Sequence, residues 1–130
     1  MIQRFIELGE GYGDFYELLE LAKSNQSRLS QMLLLETNKQ GQRCASVAVI
    51  LHPAAKGGFM PIYYCREGIT MPTEKLSKRI QLFEQLAYEL NVHIKTLEVR
   101  PSIDFPDLDL YTQYLTGILR VNHCLPPLTW

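Results

Sequence analysis

From Cys44 to Leu51 the chain reads Cys-Ala-Ser-Val-Ala-Val-Ile-Leu, apolar everywhere except Ser46 and β-branched at Val47, Val49 and Ile50. Side chains on a strand point alternately to opposite faces, so a strand with one wet face alternates apolar and polar residues. A run without that alternation predicts a strand covered on both faces, at the centre of a sheet with helices against it. Other strands can be placed around it. Residues 2–8 alternate, with Ile2, Arg4, Ile6 and Leu8 on one side and Gln3, Phe5 and Glu7 on the other. Residues 29–35, a turn at Asn38-Lys39-Gln40-Gly41 and the 43–51 run predict a hairpin. Ile62 to Cys65 and Val92 to Val99 predict two more strands. In the last of these the apolar side changes from Val92 and Ile94 to Leu97 and Val99, which requires burial on both faces or a bulge.

Other stretches repeat at helical spacing. Phe15, Leu18, Leu19 and Ala22 form a stripe that ends at Asn25. Asp14 is placed to cap it, with Glu17 in the capping-box position. Leu76, Ile80, Phe83, Ala87 and Leu90 predict a helix over 73–90, with Thr70 or Thr73 as its N-cap and Asn91 at its C-terminus. Leu108, Tyr111, Leu115 and Ile118 predict a last helix over 107–121, with Asp107 and Asp109 in a first turn where the helix dipole favours anions. Gly117 inside that helix costs about 1 kcal/mol relative to alanine, a cost that a close crossing with another element would justify. The order β-α-β-β-β-α-β-α predicts an α/β (α+β) fold: one domain over residues 1–130, a mixed β-sheet with helices on both faces.

The bulk properties narrow the function classes. A chain of 130 residues can bury a sizeable core unaided. Thirteen basic residues nearly balance fourteen acidic ones, without the basic surplus of a nucleic-acid binder, so no nucleic-acid partner is expected. No apolar stretch approaches the roughly 20 residues that span a bilayer. The start, Met1-Ile2-Gln3-Arg4-Phe5, lacks a signal peptide's apolar core. No membrane partner and a cytoplasmic location are the expectations. Cys44, Cys65 and Cys124, an odd set without a CxxC pair, read as reduced thiols.

Two loops invite chemistry. Gly9, Gly11 and Gly13 follow a strand and precede a helix, where backbone N–H groups can cradle phosphate. Position 14 is Asp where the dinucleotide fingerprint needs Gly, and Glu7, Glu10, Asp14 and Glu17 add repulsive charge, so turn geometry is the preferred explanation. His52, Lys56, Gly57 and Gly58 lie in a second loop that could hold an anion, without the Walker spacing. His52, His93, His123, Cys65 and Cys124 show no metal-site spacing, so neither metal nor cofactor is expected. Cys65, at a strand end, is the one cysteine placed for a nucleophile's role, and it would need a histidine partner.

Residues 14–99, in the order helix-strand-strand-strand-helix-strand, are similar to the restriction-endonuclease-like core. Such a nuclease needs an acid on one central strand and acid-x-Lys on the next, to hold Mg²⁺. Residues 43–51 contain no acid, and Glu67-Gly68-Ile69 stands where acid-x-Lys would be. The whole chain resembles a family of short uncharacterised Bacillus-type (Bacillales) proteins. The likeness rests on Met1 to Tyr12, on Tyr114-Leu115-Thr116-Gly117-Ile118-Leu119-Arg120, on Asn122-His123 and on Pro126-Pro127-Leu128. Some members carry the name methylthioribose kinase. The chain is too short for a kinase's two lobes, its glycine loop leads into a helix, and it has no HxD or DFG motif, so that activity is not expected.

The resulting expectation is a small non-enzymatic module that binds a protein partner or itself, as a homodimer. Tyr111, Leu115, Leu125, Leu128 and Trp130, from the last helix and the apolar tail, would form the interface. The alternative is a binding protein or enzyme for a phosphorylated small molecule at one of the two glycine-containing loops.

Overall fold

The computed structural model describes residues 3–9, 12–55, 58–65, 69–70 and 78–125. Its strands are β1 (Gln3–Gly9), β2 (Leu29–Lys39), β3 (Gln42–Leu51), β4 (Met60–Cys65), β5 (Ile69–Thr70) and β6 (Ile94–Glu98). The helices are α1 (Tyr12–Ser24), α2 (Lys78–Glu89) and α3 (Leu108–Val121). The predicted element order holds, with the two-residue β5 added.

The sheet runs β1-β4-β3-β2-β6, with β5 pairing on β3. β3 is central, and from Cys44 to Leu51 every residue is buried, as the unalternating run requires. It lies antiparallel to both neighbours. β1 is parallel to β4, and β6 to β2. All four of those strands therefore point one way and β3 the other.

Period-two alternation sorts the core into two layers. Ala45, Val47, Val49 and Leu51 of β3 join Met32 and Leu34 of β2 beneath α1 and α2, which contribute Phe15, Leu18, Ile80 and Phe83. Ala48 and Ile50 join Leu33, Leu35, Ile62 and Tyr64 beneath α3, which contributes Tyr111, Leu115 and Leu119. The change of side in β6 is burial on both faces, not a bulge. Ile94 packs in the first layer and Leu97 in the second, with regular pairing to β2 from Met32↔Ile94 to Glu36↔Glu98.

Several local expectations are corrected. β2 extends past Leu35 to Lys39, because Gln40 (φ 53) and Gly41 (φ 84) form a tight two-residue turn that lets Lys39 pair with Gln42. Both positive φ values fit a type I′ hairpin, whose twist matches that of the strands. Asp14 lies within the first turn of α1 and not before it. Thr70 belongs to β5 and so is no helix cap; Thr73 and the predicted first turns of α2 lie outside the described residues. Asp107 is the true N-cap of α3, its Oδ1 accepting from the Leu110 N–H at 2.9 Å. α2 ends with Asn91 in the left-handed region and α3 with His123 there. In each, the following N–H reaches back five residues, Val92 to the Ala87 carbonyl and Cys124 to the Leu119 carbonyl. These are Schellman caps. They give His123 a backbone role, and they bring Cys124 to Leu119, both buried.

Removing core volume from β3 should be costly. Ile50→Ala is expected to lower the unfolding free energy by about 2–5 kcal/mol, read as a lower urea midpoint at unchanged m-value. A midpoint within error of the wild type would contradict the buried position.

Candidate functional site

The parallel strands β1 and β4 finish at the same end of the sheet, with Gly9 paired to Cys65. Gly9 has φ +112, and a Cβ built on it would lie 2.5 Å from Asp14 Oδ2. The backbone conformation therefore favours glycine, and a side chain there would also have to displace the Asp14 carboxylate. Asp14 comes from the first turn of α1. The segment joins a strand to a helix, as predicted, and it places a carboxylate against the loop where a phosphate would need to approach. Gly13 is exposed in the first turn of α1, and Gly11 lies outside the described residues.

Cys65 is 4% exposed at this end. Burial pushes its thiol up from the ordinary 9.0 to about 12, with Asp14, Glu17 and Glu7 adding to the rise and Arg79 opposing it. A thiol so placed stays protonated at neutral pH, the opposite of an activated nucleophile. Burial also raises Cys124, against the opposing charge of Lys95. Among the described residues no group of three or more His, Cys, Asp or Glu side chains could hold a metal ion.

His52 and Gly58 flank β3's exit and β4's entry, at the other end of the sheet. The two predicted loops therefore do not share one site. His52 is held by its backbone: its N–H donates to the Arg28 carbonyl at 2.7 Å, and its carbonyl accepts from Arg28 Nε at 3.1 Å. The Gly58 N–H donates to the Ala55 carbonyl at 3.0 Å. Lys56 and Gly57 lie outside the described residues. β3 and β4 carry no acidic residue, so neither strand offers the carboxylate that a nuclease metal site needs.

The three described residues of the expected interface, Tyr111, Leu115 and Leu125, are buried in the chain's own core under α3. Leu128 and Trp130 lie outside the described residues. The inner stripe of α3 is Tyr111, Leu115 and Leu119, while Leu108 is exposed and Ile118 only partly buried. Gly117 has open space where a Cβ would stand, so no close crossing among the described residues accounts for it.

A second stripe, missed from the sequence, runs along the outer side of α3: Leu110, Tyr114, Gly117 and Val121, spaced four, three and four. Leu110 is 41% and Val121 77% exposed. Tyr114 is half-buried, its hydroxyl accepting from the Arg100 N–H at 3.1 Å and its ring 5.0 Å from that of Phe105. Concavities lie on both layers of the fold. One, of about 320 Å³, lies between α1 and α2 over Leu19, Leu82 and Leu86. The other, of about 340 Å³, lies between β1 and α3.

The Cys65 environment has a measurable consequence. Between pH 9.0 and about 12 the unfolded chain releases a proton that the folded chain keeps. Stability should therefore fall as pH rises through that window, by at most about 1.4 kcal/mol per pH unit from this group. Cys65→Ala should show a shallower decline in urea unfolding over the same range. Identical slopes would contradict the raised value.

A family model described as "Domain of unknown function (DUF7147)" matches residues 1–125. No curated protein matches the chain, and no solved structure does.

Proposed function

The chain belongs to the family of that domain of unknown function, and we propose that it is a self-associating binding module, a homodimer in which α3 packs against α3 of a second copy. The observation that carries this reading is Gly117. It lies on the outer stripe with open space where a Cβ would stand. Glycine inside a helix costs about 1 kcal/mol relative to alanine, and nothing within the described chain repays it.

The stripe is self-complementary. Spacings of four, three and four are those of a coiled-coil seam, in which a large side chain enters a gap on the facing helix. In an antiparallel pair about a two-fold axis, Leu110 meets Val121 of the second copy. Tyr114 meets Gly117 of the second copy, a large residue opposite a vacancy. Tyr114 is fixed for that role by Arg100 and Phe105. The same arrangement sets the acidic first turn of α3, with Asp109, beside the basic last turn, with Arg120, and opposes the helix dipoles. Both copies use one patch, as a two-fold interface requires. The inner stripe of Tyr111, Leu115 and Leu119 stays with its own sheet, so the interface needs no unfolding.

Light scattering coupled to gel filtration should give twice the chain mass at micromolar concentration. Gly117→Leu, which fills the gap, and Val121→Glu, which charges the seam, should each weaken dimerisation at least about tenfold, or 1.4 kcal/mol, with the far-UV circular dichroism unchanged. A wild-type protein that runs at the single-chain mass throughout would overturn the proposal.

A further inference from the structure

We propose that the end of the molecule where β1, β2, β4 and β6 begin binds single-stranded nucleic acid, phosphates against its basic side chains and a base against Phe59. The near balance of charge along the sequence conceals a separation that the fold creates. Arg4 opens β1, Arg28 precedes β2 and Lys95 opens β6, while Lys23 and Arg120 lie in the last turns of α1 and α3. The three histidines are exposed at the same end. Among the described residues, Glu89 is the acid at this end, with Glu20 a turn above Lys23. At the opposite end, where those strands finish, stand Glu7, Asp14, Glu36, Glu98, Asp107 and Asp109.

Ion pairing sharpens the contrast. At the acidic end Arg43 pairs with Glu36 at 2.6 Å and Glu98 at 3.7 Å, and Arg100 with Asp104 at 3.3 Å. Arg4, Lys23, Arg28 and Lys95 form no ion pair. Arg28 donates to the His52 carbonyl at 3.1 Å and to Asn25 Oδ1 at 3.3 Å, and Lys95 to the Asn122 carbonyl. These neutral partners leave the positive charge uncancelled. Part of the separation serves the helices, because cations near a helix C-terminus offset its dipole, and Lys23, Lys95 and Arg120 stand there. Arg4 and Arg28 stand beside strand ends, and no helix dipole accounts for them. Arg4 lies 4.7 Å over the Phe59 ring, which is 38% exposed. A cation beside an open ring suits a nucleotide, whose phosphate meets the charge and whose base stacks on the ring. The sum of charges pointed away from such a partner; their distribution points toward one.

Fluorescence anisotropy of a labelled single-stranded oligouridylate of about twelve nucleotides, titrated with the full chain, tests this. Saturable binding is expected at about 50 mM salt, weakening toward about 200 mM with a log-log slope of about −2 to −3, at roughly 0.7 per phosphate. Lys23→Glu and Arg4→Glu should each weaken it at least about fivefold. Lys78→Glu, the same charge change on an exposed residue at the start of α2 and the opposite end, should not. Phe59→Leu should weaken binding while leaving the salt slope unchanged, the mark of lost stacking. Urea midpoints of the variants should match that of the wild type. Equal losses in Lys23→Glu and Lys78→Glu would mean general attraction to positive charge and would overturn the proposal. So would the absence of binding at low salt, or sedimentation with phosphatidylserine–phosphatidylcholine vesicles by a chain that leaves the oligonucleotide unbound.

Discussion

The fold depends on the burial of β3 on both faces. Every residue from Cys44 to Leu51 is covered, and the two faces feed different layers. Val47 and Val49 lie under α1 and α2, Ala48 and Ile50 under α3. A slip of one residue would exchange those sets, placing Val47 and Val49 where the small Ser46 and Ala48 belong. Because side chains alternate strictly, such a slip is penalised at every position at once. β3 thereby fixes the register of its neighbours, β2 through the tight turn at Gln40-Gly41 and β4 through three further pairings. It also runs against the other four strands of the main path, so the β1 and β4 ends gather together beside the start of α1.

That polarity separates the chemistry-bearing loops. Gly9 and Cys65 stand at one end of the sheet, His52 and Gly58 at the other. The first end is closed by Asp14 over Gly9 and by a thiol that burial keeps protonated. α3 presents more than one face. One of its faces holds the second core layer, and its outer side divides into an apolar seam through Gly117 and a polar flank facing β1. A single helix thus serves both the core and the proposed contact with a second copy.

Much of the fold was legible in the sequence, because the length and flanking turns of the two-sided run at 44–51 favour a strand over a buried helix, and the stripe from Phe15 to Ala22 repeats at helical spacing. The change of side in Val92 to Val99 was legible too, and burial on both faces explains it. The outer stripe of α3 was harder to read. Leu108, Tyr111, Leu115 and Ile118 repeat at helical spacing, and so do Leu110, Tyr114, Gly117 and Val121. Periodicity alone does not say which row faces the sheet; Tyr111 and Leu115, expected at an interface, lie in the chain's own core. Gly9 signalled a turn, but its approach to Asp14 depends on how α1 docks. The β1–α3 cleft joins residues more than a hundred positions apart, such as Gln3 and Thr116, and no local pattern announces it.

Native-state hydrogen exchange tests the central claim most directly. Amides at the heart of a doubly covered strand open only with the whole molecule. Val47, Ala48, Val49 and Ile50 should therefore exchange with a free energy equal to that of global unfolding, while amides of the edge strands, such as Ile6 and Thr96, exchange through smaller openings. β3 amides that exchange as readily as those of β6 would contradict the account.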